Sequence, residues 1–232
     1  GELPFLESGE INVTSGYDPS NPYAGRDPRL YASILYDGSM WMNRETQTWT
    51  GGMDSRTGPI AAWNGTMSGY YLKKFVPEDI PPMGSTLRAT NPWIMFRYAE
   101  VLLNYAEANY ELGKEDSARF YINLVRARPG ISMPPVTATG EDLKKKIQQE
   151  RRIELAFEGH RYFDVRRWKI ADVTESKDIN GVTITKLDDD SKTYAPVNLV
   201  TRKWYDKQYL LPIPQTEIDR SLGSLVQNPD YD

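Results

Sequence analysis

The sequence predicts a mainly α protein with long loops and short strands, and three observations lead there. Stretches between residues 91 and 168 carry apolar side chains at helical spacing. Residues 1–90 are crowded with Gly, Pro, Asn, Ser and aromatics, which leaves room only for brief strands. Residues 172–201 are polar, include Asp188-Asp189-Asp190, and read as a hairpin or surface loop before the tail.

In chain order, Arg29 to Tyr36 and Tyr70 to Val76 are the candidate strands of the loop-rich part. Asn91-Pro92 predicts a helix start with Pro92 at the first helical position, followed by Ile94, Tyr98, Val101, Leu102 and Tyr105, and Gly113 ends that helix. A second helix from about Asp116 to Arg126 presents Ala118, Tyr121, Ile122 and Val125 and closes at Pro129-Gly130. The two form an αα-hairpin patterned like one tetratricopeptide unit. A lone unit of that kind cannot bury both its faces, so further segments should cover it. A third helix runs from about Glu141, capped by Thr139, to Trp168 with a break near Gly159. Two prolines stiffen Tyr209 to Pro214, and Thr216 with Ile218 predicts a short final helix. The organisation expected is a loop region, 1–90, as candidate ligand surface and a helical scaffold, 91–232.

Composition narrows the function classes. The absence of Cys excludes disulfides, thiolate chemistry and Cys-ligated metals, and one His argues against the usual imidazole-rich zinc and iron sites, so no metal and no cofactor is expected. The 28 basic residues are balanced by 32 acidic ones without a single-sign block, which argues against nucleic acid. No apolar run reaches the roughly 20 residues of a membrane span.

On a helical wheel, Ile147, Glu150, Glu154 and Phe157 fall within about 40° of Leu143, placing two carboxylates on an apolar stripe. Buried carboxylates need cations, and Arg97, Arg126, Arg128, Arg151, Arg161, Arg166 and Arg167 are at hand, so a buried Arg–Glu network is expected. The competing reading, an acid–base pair for glycoside hydrolysis, is weaker, because hydrolases set their carboxylates across an open cleft. His160 beside Gly159 reads as a packing residue. Arg161, Arg166, Arg167 and Lys169 have Glu154, Glu158 and Asp164 close by, which favours ion pairing within the molecule over nucleic-acid binding.

The segments NPWIMFRYAEVLLNYAEANYELG (91–113), INLVRAR (122–128) and ERRIELAFEGHRYFDVRRWK (150–169) resemble the signature of SusD/RagB proteins. The likeness continues in NPYAGRDPRLYASILYDGSMW (21–41), GYYLKKFV (69–76), YLLPIPQTEI (209–218) and QNPDY (227–231). It implies a SusD-like α-helical scaffold corresponding to the C-terminal part of such proteins. It further implies a place on the extracellular face of a bacterial outer membrane, with a lipid anchor expected in a preceding N-terminal part. The implied partners are an oligosaccharide or polysaccharide and a TonB-dependent, SusC-like transporter that receives it.

The family motifs carry no ligand residues, so the ligand surface is argued from chemistry. Sugars present flat C–H faces edged with hydroxyls and call for aromatic planes beside hydrogen-bonding side chains. Trp41, Trp49 and Trp63 lie in a polar, Gly-rich stretch with Asn43, Arg44, Gln47 and Asn64, and with Asp54 and Arg56 close in sequence. These are the candidate ligand-binding residues, and at least one Trp should be exposed. Tyr70 and Tyr71 read as strand residues. Against non-catalytic glycan binding stand a protein-interaction scaffold whose aromatics are structural and, more weakly, a glycoside hydrolase.

Overall fold

The computed structural model describes residues 4–5, 10–60, 62–78 and 92–231. Helix α1 spans Pro28–Ser33, and Asp27 caps it by accepting from the Arg29 amide while Pro28 occupies the first turn. This corrects the strand expected over Arg29 to Tyr36. Only Ile34–Leu35 (β1) is extended, because the Asp-Pro cap imposes helix on the residues after it. Strands β2 (Met40–Trp41) and β3 (Arg44–Glu45) form a hairpin, and β4 (Tyr71–Leu72) pairs antiparallel with β1.

The helical part follows as α2 (Tyr98–Glu111), α3 (Glu115–Arg126), α4 (Gly140–Glu154), α5 (His160–Arg167) and α6 (Ala171–Thr174). A two-stranded sheet, β5 (Ile179–Lys186) with β6 (Lys192–Val200), forms the expected polar hairpin, and α7 (Gln215–Arg220) is the short final helix. The chain is mostly helical, as its patterning predicts.

The core lies where α2, α3 and α4 meet. Leu102, Leu103 and Ala106 of α2 pack with Ala118, Ile122 and Val125 of α3 and with Leu143 and Ile147 of α4. Ala106 and Ala118 are fully buried, which lets the hairpin's backbones approach closely. Gly113, at φ 70°, supplies the left-handed residue just after α2.

Three expectations for these helices need correction. The first helix begins at Tyr98, not at Pro92, and Asn91 lies outside the described residues. Its buried face is Ala99, Leu102, Leu103, Ala106 and Asn109, whereas Ile94, Tyr98, Val101 and Tyr105 are exposed. Arg97 itself is extended, at φ -148° and ψ 162°, and its guanidinium reaches back to α4 and its C-terminal turn, so the helix starts only after it. The third helix stops at Glu154, five residues before the expected break, and Phe157 leaves the stripe to sit exposed at φ 66°.

The buried Arg–Glu network is present. Glu150 receives Arg29 Nη1 at 2.5 Å and Arg126 Nη1 at 2.6 Å. Glu154 receives Arg97 Nη1 at 2.6 Å, Arg128 Nη1 at 2.8 Å and Arg29 Nη1 at 3.0 Å. Glu158 in the following turn takes Arg97 Nε at 2.8 Å and Lys74 Nζ at 2.5 Å. The network thereby ties α1, the β4 exit, the α2 entry and the end of α3 to one helix. Arg29 is not among the partners expected from sequence, because a residue read as strand gives no reason to reach a distant helix.

The β5–β6 hairpin is bonded to the loop-rich part through Thr50 N to Ile184 O at 2.8 Å and Val182 N to Ser68 O at 3.0 Å. Lys192 Nζ also pairs with Asp37, whose carboxylate accepts the Thr48 amide at 2.8 Å. The hairpin is therefore a support for the aromatic loops.

Candidate functional site

Between β2 and β3, Met42 (φ 48°) and Asn43 (φ 65°) form a two-residue turn with both φ positive, the geometry that matches strand twist in tight hairpins. Asn tolerates that conformation, so Asn43 serves the turn and its side chain is exposed. The turn sets Trp41 directly opposite Arg44 in the ladder, where paired residues share a face.

Both residues line a groove of about 410 Å³, together with Asp54, Asn64 and Tyr71 and apolar walls that include Leu35 and Ile60. Trp41 is half-buried, with Lys73 Nζ 5.9 Å from its ring centroid. Arg44 grips Asp54 through both arms of its fork, Nη1 at 2.7 Å and Nη2 at 2.6 Å. Burial pushes the Asp54 carboxyl upward, but Arg44 and the Gln47 amide at 2.8 Å outweigh it and hold the group below its ordinary value. Asp54 is therefore a fixed anion at neutral pH.

The floor is fixed by hydrogen bonds. Tyr71 Oη donates to Asp54 O at 2.6 Å and accepts the Thr66 amide at 3.0 Å. Gly65 is required beside this bond, since a Cβ there would stand 2.6 Å from Arg56 N. Asn64 makes no side-chain hydrogen bond among the described residues, so its amide has donor and acceptor free for a ligand. An aromatic wall, a fixed ion pair and a free amide around one concavity suit a ligand with an apolar face and hydroxyl edges.

Of the seven candidate residues, the groove brings together Trp41, Arg44 and Asn64. Trp63 is 84% exposed on a short 3-10 turn and is not among the groove's lining residues. Trp49 is half-buried under Lys186, whose Nζ lies 5.4 Å from the ring centroid. Gln47 turns its side-chain oxygen toward the Met53 amide at 3.5 Å. Two further polar lining residues, Tyr71 and Asp54, complete the groove. Tyr71 reads from sequence as a strand residue, and it is one, while Asp54, close in sequence to the candidate tryptophans, enters the groove as the partner of Arg44.

The remaining candidates for chemistry are occupied. Glu150 and Glu154 are 1% and 4% exposed, and arginines fill them. His160 Nε2 lies 3.5 Å from Glu100. Among the described residues no His, Asp or Glu cluster could hold a metal ion, and no helix is long and apolar enough to cross a membrane.

The SusD family profile matches residues 9–231. SusD-like protein P2 of Formosa agariphila is 32% identical over 149 residues, which are 60% of this chain and 26% of that protein. A SusD-like protein from Bacteroides fragilis superposes with a TM-score of 0.74 at 33% identity, covering 91% of this chain and 40% of its own. Surface glycan-binding protein A from Bacteroides thetaiotaomicron shares the fold at a TM-score of 0.50 and 23% identity, over 90% of this chain and 40% of that one. The chain thus spans well under half the length of these relatives.

Proposed function

The chain belongs to the SusD family, and from that premise we propose that it binds glycans without transforming them, at the outer face of a bacterial outer membrane. In this reading a lipid anchor outside the present residues holds the protein at the surface, and a TonB-dependent, SusC-like transporter receives the captured chain. The observation that carries the binding claim is the groove in which Trp41 stands beside Arg44, Asp54 and Asn64. Trp41 stacks on a sugar face, while the outer edge of the Arg44–Asp54 pair and the Asn64 amide hold hydroxyls. A groove of about 410 Å³ takes one or two sugar units, so affinity is modest and depends on repeated contact along a polymer.

Calorimetry against a panel of polysaccharides tests this reading, with product analysis on the same mixtures. Binding without product formation is the expected outcome. Released oligosaccharide would overturn the non-catalytic reading, and silence across neutral, acidic and branched glycans would overturn the glycan itself.

A second reading, a protein-docking scaffold, has its own support. Trp93, Met95, Phe96, Tyr98 and Phe120 are each more than half exposed. That much apolar surface at and near the helical hairpin is what a protein contact uses. The two readings concern different surfaces, and a groove substitution that abolishes glycan binding leaves the second one intact.

A further inference from the structure

A second concavity, of about 460 Å³, lies between α5, α6 and the segment that follows β6, away from the aromatic groove. Four cationic side chains line it, Arg161, Arg166, Arg202 and Lys203, against a single carboxylate, Glu175. Glu175 is already shared, with Arg161 Nη2 at 3.2 Å and Arg202 Nη1 at 2.9 Å. Arg166 has no carboxylate partner among the described residues. Its fork donates only to backbone, Nε to Gln208 O at 3.2 Å and Nη1 to Tyr162 O at 2.9 Å.

Arg166 is also held in place. Its guanidinium carbon lies 3.6 Å from the Tyr162 ring centroid and 5.1 Å from that of Trp204, so the group is held against the Tyr162 ring with Trp204 nearby. Arg166 is half-buried, and Arg29, Arg126 and Arg151, buried or half-buried arginines of the same scaffold, are each matched by a carboxylate. This pocket departs from that rule, and Trp204 Nε1 in its wall is a shielded donor with no acceptor. Burial and the neighbouring Arg152 also hold the Arg161 guanidinium below its ordinary value, more than Glu175 restores.

We propose that this pocket is an oxyanion site that takes a carboxylate or sulfate group of a small ligand, with Arg166 as its fixed fork and Arg202 and Lys203 as its flanks. A planar carboxylate meets a pre-oriented guanidinium through two parallel hydrogen bonds, and a sulfate oxygen pair fits the same fork. Glu175, paired with Arg161 and Arg202, competes with the ligand for both. The proposal is independent of the glycan reading, because it concerns a charged group rather than a sugar face.

Titrations of the intact chain with sodium sulfate, sodium acetate, glucuronate and glucose, at constant ionic strength, test it by calorimetry. Sulfate and the carboxylates should bind and glucose should not. Arg166→Gln should weaken that binding about tenfold or more, the loss expected for a charged hydrogen-bond partner. Lys203→Gln, at an exposed side chain that the fold does not need, should weaken it less. Glu175→Gln should tighten it by removing the competing carboxylate. Sulfate binding with carboxylates silent, or the reverse, would identify which oxyanion the site accepts and support it. Anion binding unchanged in both Arg166→Gln and Lys203→Gln, glucose binding as well as glucuronate, or no binding to the wild-type chain would overturn it.

Discussion

Glu154 joins more of the molecule than any other single side chain in the network, since α1, the α2 entry and the end of α3 all send an arginine to it. Burial raises its carboxyl, and Arg128, Arg97 and Arg29 more than reverse this, so that it falls from 4.5 to about 2. Because the folded value is depressed, the stabilisation is present above pH 4.5 and is lost as the pH falls toward 2. The shift corresponds to about 3 kcal/mol as an order of magnitude. Glu154→Gln should therefore cost about 3 kcal/mol at pH 7, since it removes the one carboxylate that Arg29, Arg97 and Arg128 share, while Arg29 keeps Glu150 and Arg97 keeps Glu158. It should also flatten the fall in stability on acidification. Urea unfolding at pH 7 and pH 3 measures both, and an unchanged difference between the two pH values would contradict the role given to Glu154.

At the scale of elements, the β5–β6 hairpin is what holds the aromatic loops in place. Gly181 lies against Ser68, and a Cβ there would be 2.7 Å from Ser68 Cα and 2.8 Å from Ser68 O, both backbone atoms that cannot yield cheaply. Gly181→Ala should destabilise the protein by about 1–3 kcal/mol through overpacking, and thermal unfolding reads the loss. An unchanged melting temperature would mean the hairpin and loops are not held together there. The same elements separate what the sequence discloses from what it conceals. Helix α3 was legible because its buried face repeats at one period, whereas the α2 entry was not. Pro92 is a local helix-start signal, while the destination of Arg97, 57 residues away at Glu154, is not local at all. In the groove the residue types were legible, but their meeting was not. Trp41 faces Arg44 because Met42 and Asn43 make a tight turn, and Asp54 arrives from a loop and Tyr71 from β4, meeting where Gly65 permits a close approach.

Across the whole molecule, the charged network and the aromatic groove occupy different parts and do different work. The arginines and glutamates of α4 and its neighbours fix the scaffold, and the loop-rich part carried on that scaffold and the β5–β6 hairpin forms the concavity proposed to hold a glycan. Three tryptophans were candidates, and their surroundings now separate them: Trp41 lines the groove, Trp49 lies under Lys186, and Trp63 projects to solvent. The most direct test is calorimetry of wild-type protein, Trp41→Ala and Trp49→Ala against the same bound polysaccharide. Trp41→Ala should lose about 2 kcal/mol, roughly thirtyfold in affinity, as an anchoring aromatic does. Trp49→Ala should bind as the wild type does. Equal retention of affinity in both variants, or loss confined to Trp49→Ala, would contradict the groove as the glycan site.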